Sequence, residues 1–338
     1  MKKILTAGAF LFSFCRLFFC NDTSIQHVNG GNEYIINKSE KISIESELLE
    51  IRLYENFYSV SVDYVFRNEG ETETLSVGFP ETEYRYITKD IAESEKIRNF
   101  KTSVNNNETK YQIVNADILI AENRQETISK FYAKEIVFSG HDITKVHVEY
   151  DTSYNRNTGG GSFCIADYLI GSAVCWKNID NLTMKIYLCE DSYYLDKPHF
   201  EDLMNNNIPQ KISVTNDRQT RMLELEYKNL NVELSTKVII PIQNDKYDVF
   251  GLPWDYNFEF FEYPEYVMEL LTDSQLRKAR NLIYAFHGYE FKDKNLQNFF
   301  NEKPWYRANR NFSESLFNEN EKKNLQKIIK TEKRQKLF

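Results

Sequence analysis

His287 is the residue in this sequence that most invites a chemical reading. It lies in NLIYAFHGYEF, residues 281–291, beside Gly288 and among Tyr284, Phe286, Tyr289 and Phe291. An imidazole can act as a general base, hold a metal or touch a ligand, but each use needs partners. Catalysis needs a nucleophile or a carboxylate in reach. The hydroxyls of the surrounding segment, Ser274, Ser313 and Ser315, do not stand in a nucleophile elbow. A metal needs further ligands, and residues 271–338 contain no second histidine. His27, His141, His147 and His199 are scattered along the rest of the chain. His287 is thus read first as a structural group bonded to nearby backbone or Tyr, then as a ligand contact, and last as a catalyst. Tyr284, Trp305 and Tyr306 likewise read first as core, although an exposed Trp–Tyr pair stacks well on a sugar face.

Two other sets of residues carry chemistry. Lys322, Lys323, Lys327 and Lys330 recur at one and two helical turns in NENEKKNLQKIIK and share a broad face. The plain reading is a solvated face. The sharper one is that this face, with Arg277 and Lys278, attracts an anionic envelope polymer or an acidic protein surface. Cys164, Cys175 and Cys189 have ten and thirteen residues between them, which is not the close pairing of a zinc ribbon. They allow one disulfide and a leftover thiol, or three small buried thiols. There is no HExxH and no glycine-rich phosphate loop. No catalytic residue, metal, cofactor or nucleic-acid partner is implied.

The elements that must position these groups differ along the chain. In FYSVSVDYVFRNEG, Tyr58, Val60, Val62, Tyr64 and Phe66 alternate with Ser59, Ser61, Asp63 and Val65, the period of a strand with one buried face. TLSVGFP, KVHVEYDTSY, LTMKIYLCE, RMLELEYKNL and VELSTKVIIP read the same way, and FKTSVNNNETKYQIV and KFYAKEIVF more weakly. His147, inside one of these strands, is expected to face solvent. The pattern predicts a mainly β protein: one large or two tandem β-sandwich modules over 21–241, with an internal boundary near 155–162 at NRNTGGGS as an option. Residues 242–270 read as an aromatic connector, with Trp254, Tyr256, Phe258, Phe260, Phe261 and Tyr263 among Glu259, Glu262 and Glu265. They serve either as a binding strip or as packing that docks the last module. A small module of three helices follows over 271–331, with 332–338 as a tail. Thr272 and Gln275 form a capping box, and Leu276, Ala279, Ile283 and Phe286 recur at helical spacing. Gly288 falls where a helix stops, and Asp293 can cap a second helix through Phe300. Leu316, Phe317, Leu325, Ile328 and Ile329 are the expected buried positions of the third.

Charge and targeting set the compartment. Leu271–Phe338 holds 15 Lys/Arg and 8 Asp/Glu, whereas the other 270 residues hold 27 and 42, so a basic end follows an acidic body. Lys2 and Lys3 precede an apolar run, Ile4 to Cys15, that is short for a membrane span and is broken by Arg16. Residues 1–20 therefore read as a signal peptide. Plain secretion is preferred to acylation of Cys20, because LFFC lacks the small residue that normally precedes a lipoprotein cysteine. No transmembrane segment is expected after cleavage, and the chain is placed in the periplasm or at the cell surface.

Two resemblances sharpen this. NDTSIQHVNGG, SEKISIESELLEI, VSVDYVFRNEGETETLSVGFPE and YLIGSAVCWKNIDNLTMKIYL, with Tyr168, Gly171 and Trp176 in register, resemble a bacterial family of exported proteins of unknown function across most of 22–241. That resemblance implies a compartment and a fold but no reaction. ARNLIYAFHGYEFKDKNLQNFFNEKPWYRAN and NENEKKNLQKI resemble the YARHG domain, an extracellular bacterial module, from about Thr272 to Ile329. The signature Arg of that module is Phe286 here, so a role resting on its guanidinium does not transfer. The reading is a non-enzymatic exported cell-envelope protein that binds cell wall or an envelope partner. Two alternatives are a structural protein whose basic module packs on its acidic body, and a hydrolase with a carboxylate site in the sandwich.

Overall fold

The computed structural model describes residues 34–35, 40–84, 97–121, 126–156, 163–190, 193–195, 199–201, 208–217, 219–230, 232–244, 258–303 and 305–335. The leader with Cys20, Trp254, Tyr256 and most of NRNTGGGS lie outside the described residues.

Strand β3 (Tyr58–Asn68) follows its alternation: Tyr58, Val60, Val62, Tyr64 and Phe66 are at most 1% exposed, and Asp63 faces out. It pairs antiparallel with β2 (Ile42–Leu53) and β9 (Ile143–Thr152). Beyond β2 the ladder continues through β12 (Ile179–Leu188), in parallel, to β16 (Arg221–Leu230) and β15 (Lys211–Asn216). Beyond β9 lie β5 (Ile97–Val104) and β6 (Asn107–Glu108), completing eight strands. Two smaller sheets cover the apolar face. One orders β1 (Tyr34–Ile35), β4 (Glu73–Tyr84), β8 (Glu126–Phe138) and β7 (Gln112–Ala121). The other orders β10 (Asn155–Arg156), β11 (Phe163–Tyr168), β17 (Lys237–Asn244) and β13 (Tyr193–Leu195), with β14 (His199–Glu201) also on β17. Phe66 meets Phe138 and Trp176, and Phe79 meets Tyr150, at centroid distances of 4.5–5.7 Å. One apolar core runs through all three sheets. The body is therefore one large sandwich, and β10, the first two residues of NRNTGGGS, pairs with β11, which follows that stretch, within a single sheet.

The sandwich interior also holds charge that periodicity cannot reveal. Lys237 is fully buried and forms ion pairs with Glu126 and Asp167, themselves buried. The Tyr58 hydroxyl donates to the Asp167 carbonyl at 3.0 Å, and Tyr168 donates to Glu47 at 3.1 Å while sharing a hydrogen bond with Tyr64. Buried ions persist only when paired in this way.

A second core gathers the helices α1 (Glu265–Glu269), α2 (Asp273–Phe286), α3 (Lys294–Asn301) and α4 (Glu319–Gln335). The capping box forms as expected, with Thr272 accepting from the Gln275 amide and Gln275 accepting from the Thr272 amide. Gly288 ends α2 at φ 76°, with the Tyr289 amide reaching back to the Tyr284 carbonyl at 3.1 Å. Asp293 caps α3. The structure departs from the sequence reading in four places. A fourth helix, α1, arises inside the connector after Pro264, whose fixed φ suits a helix start. Phe258 and Tyr263 are buried in the helical core, so the connector's second half is part of that core, while 242–244 belong to β17. Leu316 is 45% exposed, because Glu314–Leu316 is a short 3-10 turn that points it outward, whereas Phe317, Leu325 and Ile328 are buried as expected and Ile329 partly so. Finally, α4 continues to Gln335, through most of the segment read as a tail.

Candidate functional site

The helical residues singled out by the sequence are drawn inward. His287 follows the last turn of α2, and its Nε2 lies 2.8 Å from Oε1 of Glu321. The other oxygen of that nearly buried carboxylate accepts from the Asn318 amide at the start of α4. The imidazole thus ties the end of α2 to the start of α4 through a carboxylate 34 positions away. Tyr284 donates to Glu314 at 2.8 Å, and burial, then Glu314, push its pKa up to about 12. Tyr306 is 5% exposed and donates to the Tyr289 carbonyl at 2.7 Å. Trp305 is half-buried and meets Phe286, 51% exposed, at 4.8 Å. With Tyr306 turned into the core, Trp305 and Tyr306 do not form an exposed stacking platform.

The lysines of α4 face glutamates of the preceding segment. Lys323 and Lys327 bond both oxygens of Glu262 at 2.8 and 2.7 Å, and these two hydrogen bonds hold its pKa down at about 2. Lys330 pairs with Glu265 at 2.6 Å, and Lys322 with Glu319 at 3.0 Å within α4. Arg277 pairs with Asp293. The lysine face is largely neutralised within the chain. Cys164 lies on β11, Cys175 at the end of a 3-10 turn and Cys189 after β12; all three are thiols, unbridged to one another.

One concavity was not singled out by the sequence. It is a trough of about 690 Å³ on the open face of the eight-stranded sheet. Register explains it. Glu50, Ser61, Glu149 and Lys101 stand in one row across β2, β3, β9 and β5, and Arg52, Ser59 and Asp151 in the next. Two short serines on the central strand lie between long charged side chains on its neighbours, so the floor is low and the walls are high. Cross-strand pairs fix the walls. Lys101 bonds Glu149 at 2.6 Å, Ser59 and Asn99 donate to the two oxygens of Asp151 at 2.5 and 2.7 Å, and Glu50 accepts from Arg52 and from Tyr187 at 3.1 and 2.9 Å. The hydrogen bond from Lys101 lowers the pKa of Glu149 and raises that of Lys101. A bulge in β5 at Asn99, φ 56°, turns its amide toward Asp151. His147, half-exposed as expected of a solvent-side strand residue, bonds Asp63 at 2.8 Å beyond the trough. The Ser59 hydroxyl is paired to a carboxylate, not to an imidazole, so the trough offers fixed charges of both signs instead of an activated nucleophile. A second cleft, about 800 Å³, lies where β15 and β16 meet the helices, but its Arg221 and Arg334 are already committed to backbone carbonyls and to Glu265 and Glu269.

Comparison with known proteins matches these two parts separately. Residues 264–333 match the YARHG domain model. The chain carries a YARHG domain. The match begins at α1 and not at Thr272, in keeping with the burial of Tyr263, Val267 and Met268 in the helical core. Residues 20–127 match a domain of unknown function, DUF4424, which ends at the start of β8 and so spans only the first half of the sandwich. Among solved structures, a candidate nutrient-binding protein from Legionella pneumophila is similar over 92% of this chain and 100% of its own, with a TM-score of 0.51 at 19% identity. At that identity the likeness is one of fold, and it extends over most of this chain. An M1 zinc metallopeptidase from Deinococcus radiodurans aligns with 60% of this chain and 43% of its own, with a TM-score of 0.34 at 8% identity. No curated protein matches. No described helix is long and apolar enough to cross a membrane.

Proposed function

We propose that this chain is a non-enzymatic, exported binding protein of the cell envelope, and that its sandwich takes a small polar ligand in the trough between Glu50, Arg52, Lys101, Glu149 and Asp151. The observation that carries the reading is the trough itself, with a serine floor and walls of both charge signs held in place before any ligand arrives. Preorganised walls lower the ordering cost of binding. The nutrient-binding description of the Legionella protein and the extracellular character of YARHG modules support it. The test is a thermal-shift and calorimetric screen of amino acids, short peptides and sugars. A true ligand at a hundredfold excess over its Kd stabilises by about 2.7 kcal/mol. Ser61→Trp fills the trough and abolishes that gain without disturbing the inner face of β3. A screen without a shift, or equal binding by the filled variant, overturns the reading.

A second reading assigns the YARHG domain to cell wall or an envelope protein through Lys322, Lys323, Lys327 and Lys330. The ion pairs to Glu262 and Glu265 favour instead a basic face satisfied inside the chain. Retention on cell-wall sacculi at low and high salt, for wild type and for the variant with all four lysines changed to Glu, separates these two.

A further inference from the structure

The segment before α1 contains an exposed pair of aromatic rings with an unusually fixed backbone. Phe260 and Phe261 are 66% and 60% exposed, while Phe258 beside them is 1% exposed and anchors the turn in the helical core. Three asparagines of α4 and its cap hold the turn from below. Asn318 and Asn320 donate to the Glu259 carbonyl at 3.0 and 3.3 Å. Asn324, fully buried, donates to the Phe261 carbonyl at 2.7 Å and accepts from the Tyr263 amide at 2.9 Å. The carbonyls on both sides of Phe260 are therefore tied down, and the two rings project from a rigid tip.

Large apolar side chains held in water in this way mark a contact site. A stable protein partner asks for roughly 800 Å² on each side, a patch far larger than two adjacent rings. A bilayer interface sets no such threshold, because each inserted ring contributes on its own. We propose that Phe260 and Phe261 are a shallow lipid-interface anchor that holds this chain against a membrane surface. The flanking charges set its character. Glu259 and Glu262 are exposed on either side of the pair, and Glu262 is neutralised by Lys323 and Lys327 while Lys322 is occupied by Glu319. The rings enter the interface while the carboxylates stay in water beside their lysines, so attachment is apolar and resistant to salt.

The experiment is co-sedimentation of the purified chain with phosphatidylcholine vesicles, alone and with phosphatidylglycerol added, at low and high salt. Wild type is expected to sediment with the zwitterionic vesicles at both salts, and Phe260→Ser/Phe261→Ser to lose at least about tenfold in partitioning with an unchanged melting temperature. Phe260→Trp keeps an aromatic ring and reports directly: its emission shifts to the blue when vesicles are added. Wild type left in the supernatant, equal sedimentation of the serine variant, or an emission that does not move overturns the proposal, and the first of these with the last leaves a protein partner for the tip. Binding that appears only on anionic vesicles and vanishes with salt also overturns it, since lysines and not rings would then make the contact.

Discussion

Gly288 shows how a single position closes the helical domain. Its φ of 76° suits only a residue without a side-chain penalty, and a Cβ there would lie 2.3 Å from the Arg307 carbonyl. Gly288→Ala is therefore expected to cost about 2–4 kcal/mol, the left-handed penalty plus displacement of a backbone that cannot give, read as a drop in the unfolding temperature of the domain. An unchanged temperature would mean that the 307–309 segment moves freely. The glycine was legible in the sequence because a helix stop is a local rule. The partner of the neighbouring His287 was not, because Glu321 comes from another helix and no local pattern pairs them. His287→Ala leaves the nearly buried Glu321 without its imidazole and is expected to destabilise by about 1–3 kcal/mol, with His287→Gln, which can still donate, restoring much of the loss. Equal melting of both variants and wild type would remove the imidazole from the account.

Among the elements, strands were the most readable, since each needs only its own alternation. The trough was not readable, although every residue lining it sits at an outward position: its shape depends on which strands are neighbours, and β5, β9, β3 and β2 come together across more than a hundred residues of sequence. The segment leading into α1 failed for a related reason. Its aromatics and glutamates look alike along the chain, but Phe258 and Tyr263 enter the core, Phe260 and Phe261 leave it, and Glu262 and Glu265 turn to the lysines of α4. That last contact is titratable. Glu262 has its pKa lowered from 4.5 to about 2 by hydrogen bonds from Lys323 and Lys327. A carboxylate depressed in the folded state contributes its stability above the unfolded value and loses it as pH falls through the folded value. The segment is thus expected to stay clamped to α4 above about pH 4.5 and to loosen progressively towards pH 2, seen as falling protection of the Glu262 and Tyr263 amides relative to their intrinsic exchange rates at each pH. Glu262→Gln should loosen the segment at neutral pH and flatten this dependence. A wild-type profile that is flat from pH 5 to 2 would show that the buried Phe258 and Tyr263 hold the segment without the ion pairs.

For the whole molecule the question is what joins an acidic sandwich to a basic helical domain. Charge balance, the obvious signal in the sequence, is not the joint: the lysines of α4 are answered by nearby glutamates of the same domain. The joint is at the turn end of the β15–β16 hairpin. Arg221, 7% exposed, donates from Nε and Nη2 to the Leu270 carbonyl at 3.1 and 3.0 Å, from Nη2 to Gln275 and from Nη1 to the Glu190 carbonyl. Its strand partner Asn216 donates to the carbonyls of Glu269 and Leu271 at 2.7 and 3.0 Å. Leu270 belongs to the sandwich core and Leu271 to the helical core, so the peptide between them is where the two interiors meet. A guanidinium that serves both sides is expected to make the two cores melt together. Arg221→Met fills much of the same volume but leaves the carbonyls of Leu270 and Glu190 without donors, a loss of about 2–5 kcal/mol. Calorimetry of wild type should show one transition, and of the variant two, the helical domain melting first and becoming open to protease while the sandwich persists. A variant that still melts in one step at the wild-type temperature would mean that Leu270 packing alone couples the halves, and that the guanidinium only fills the joint.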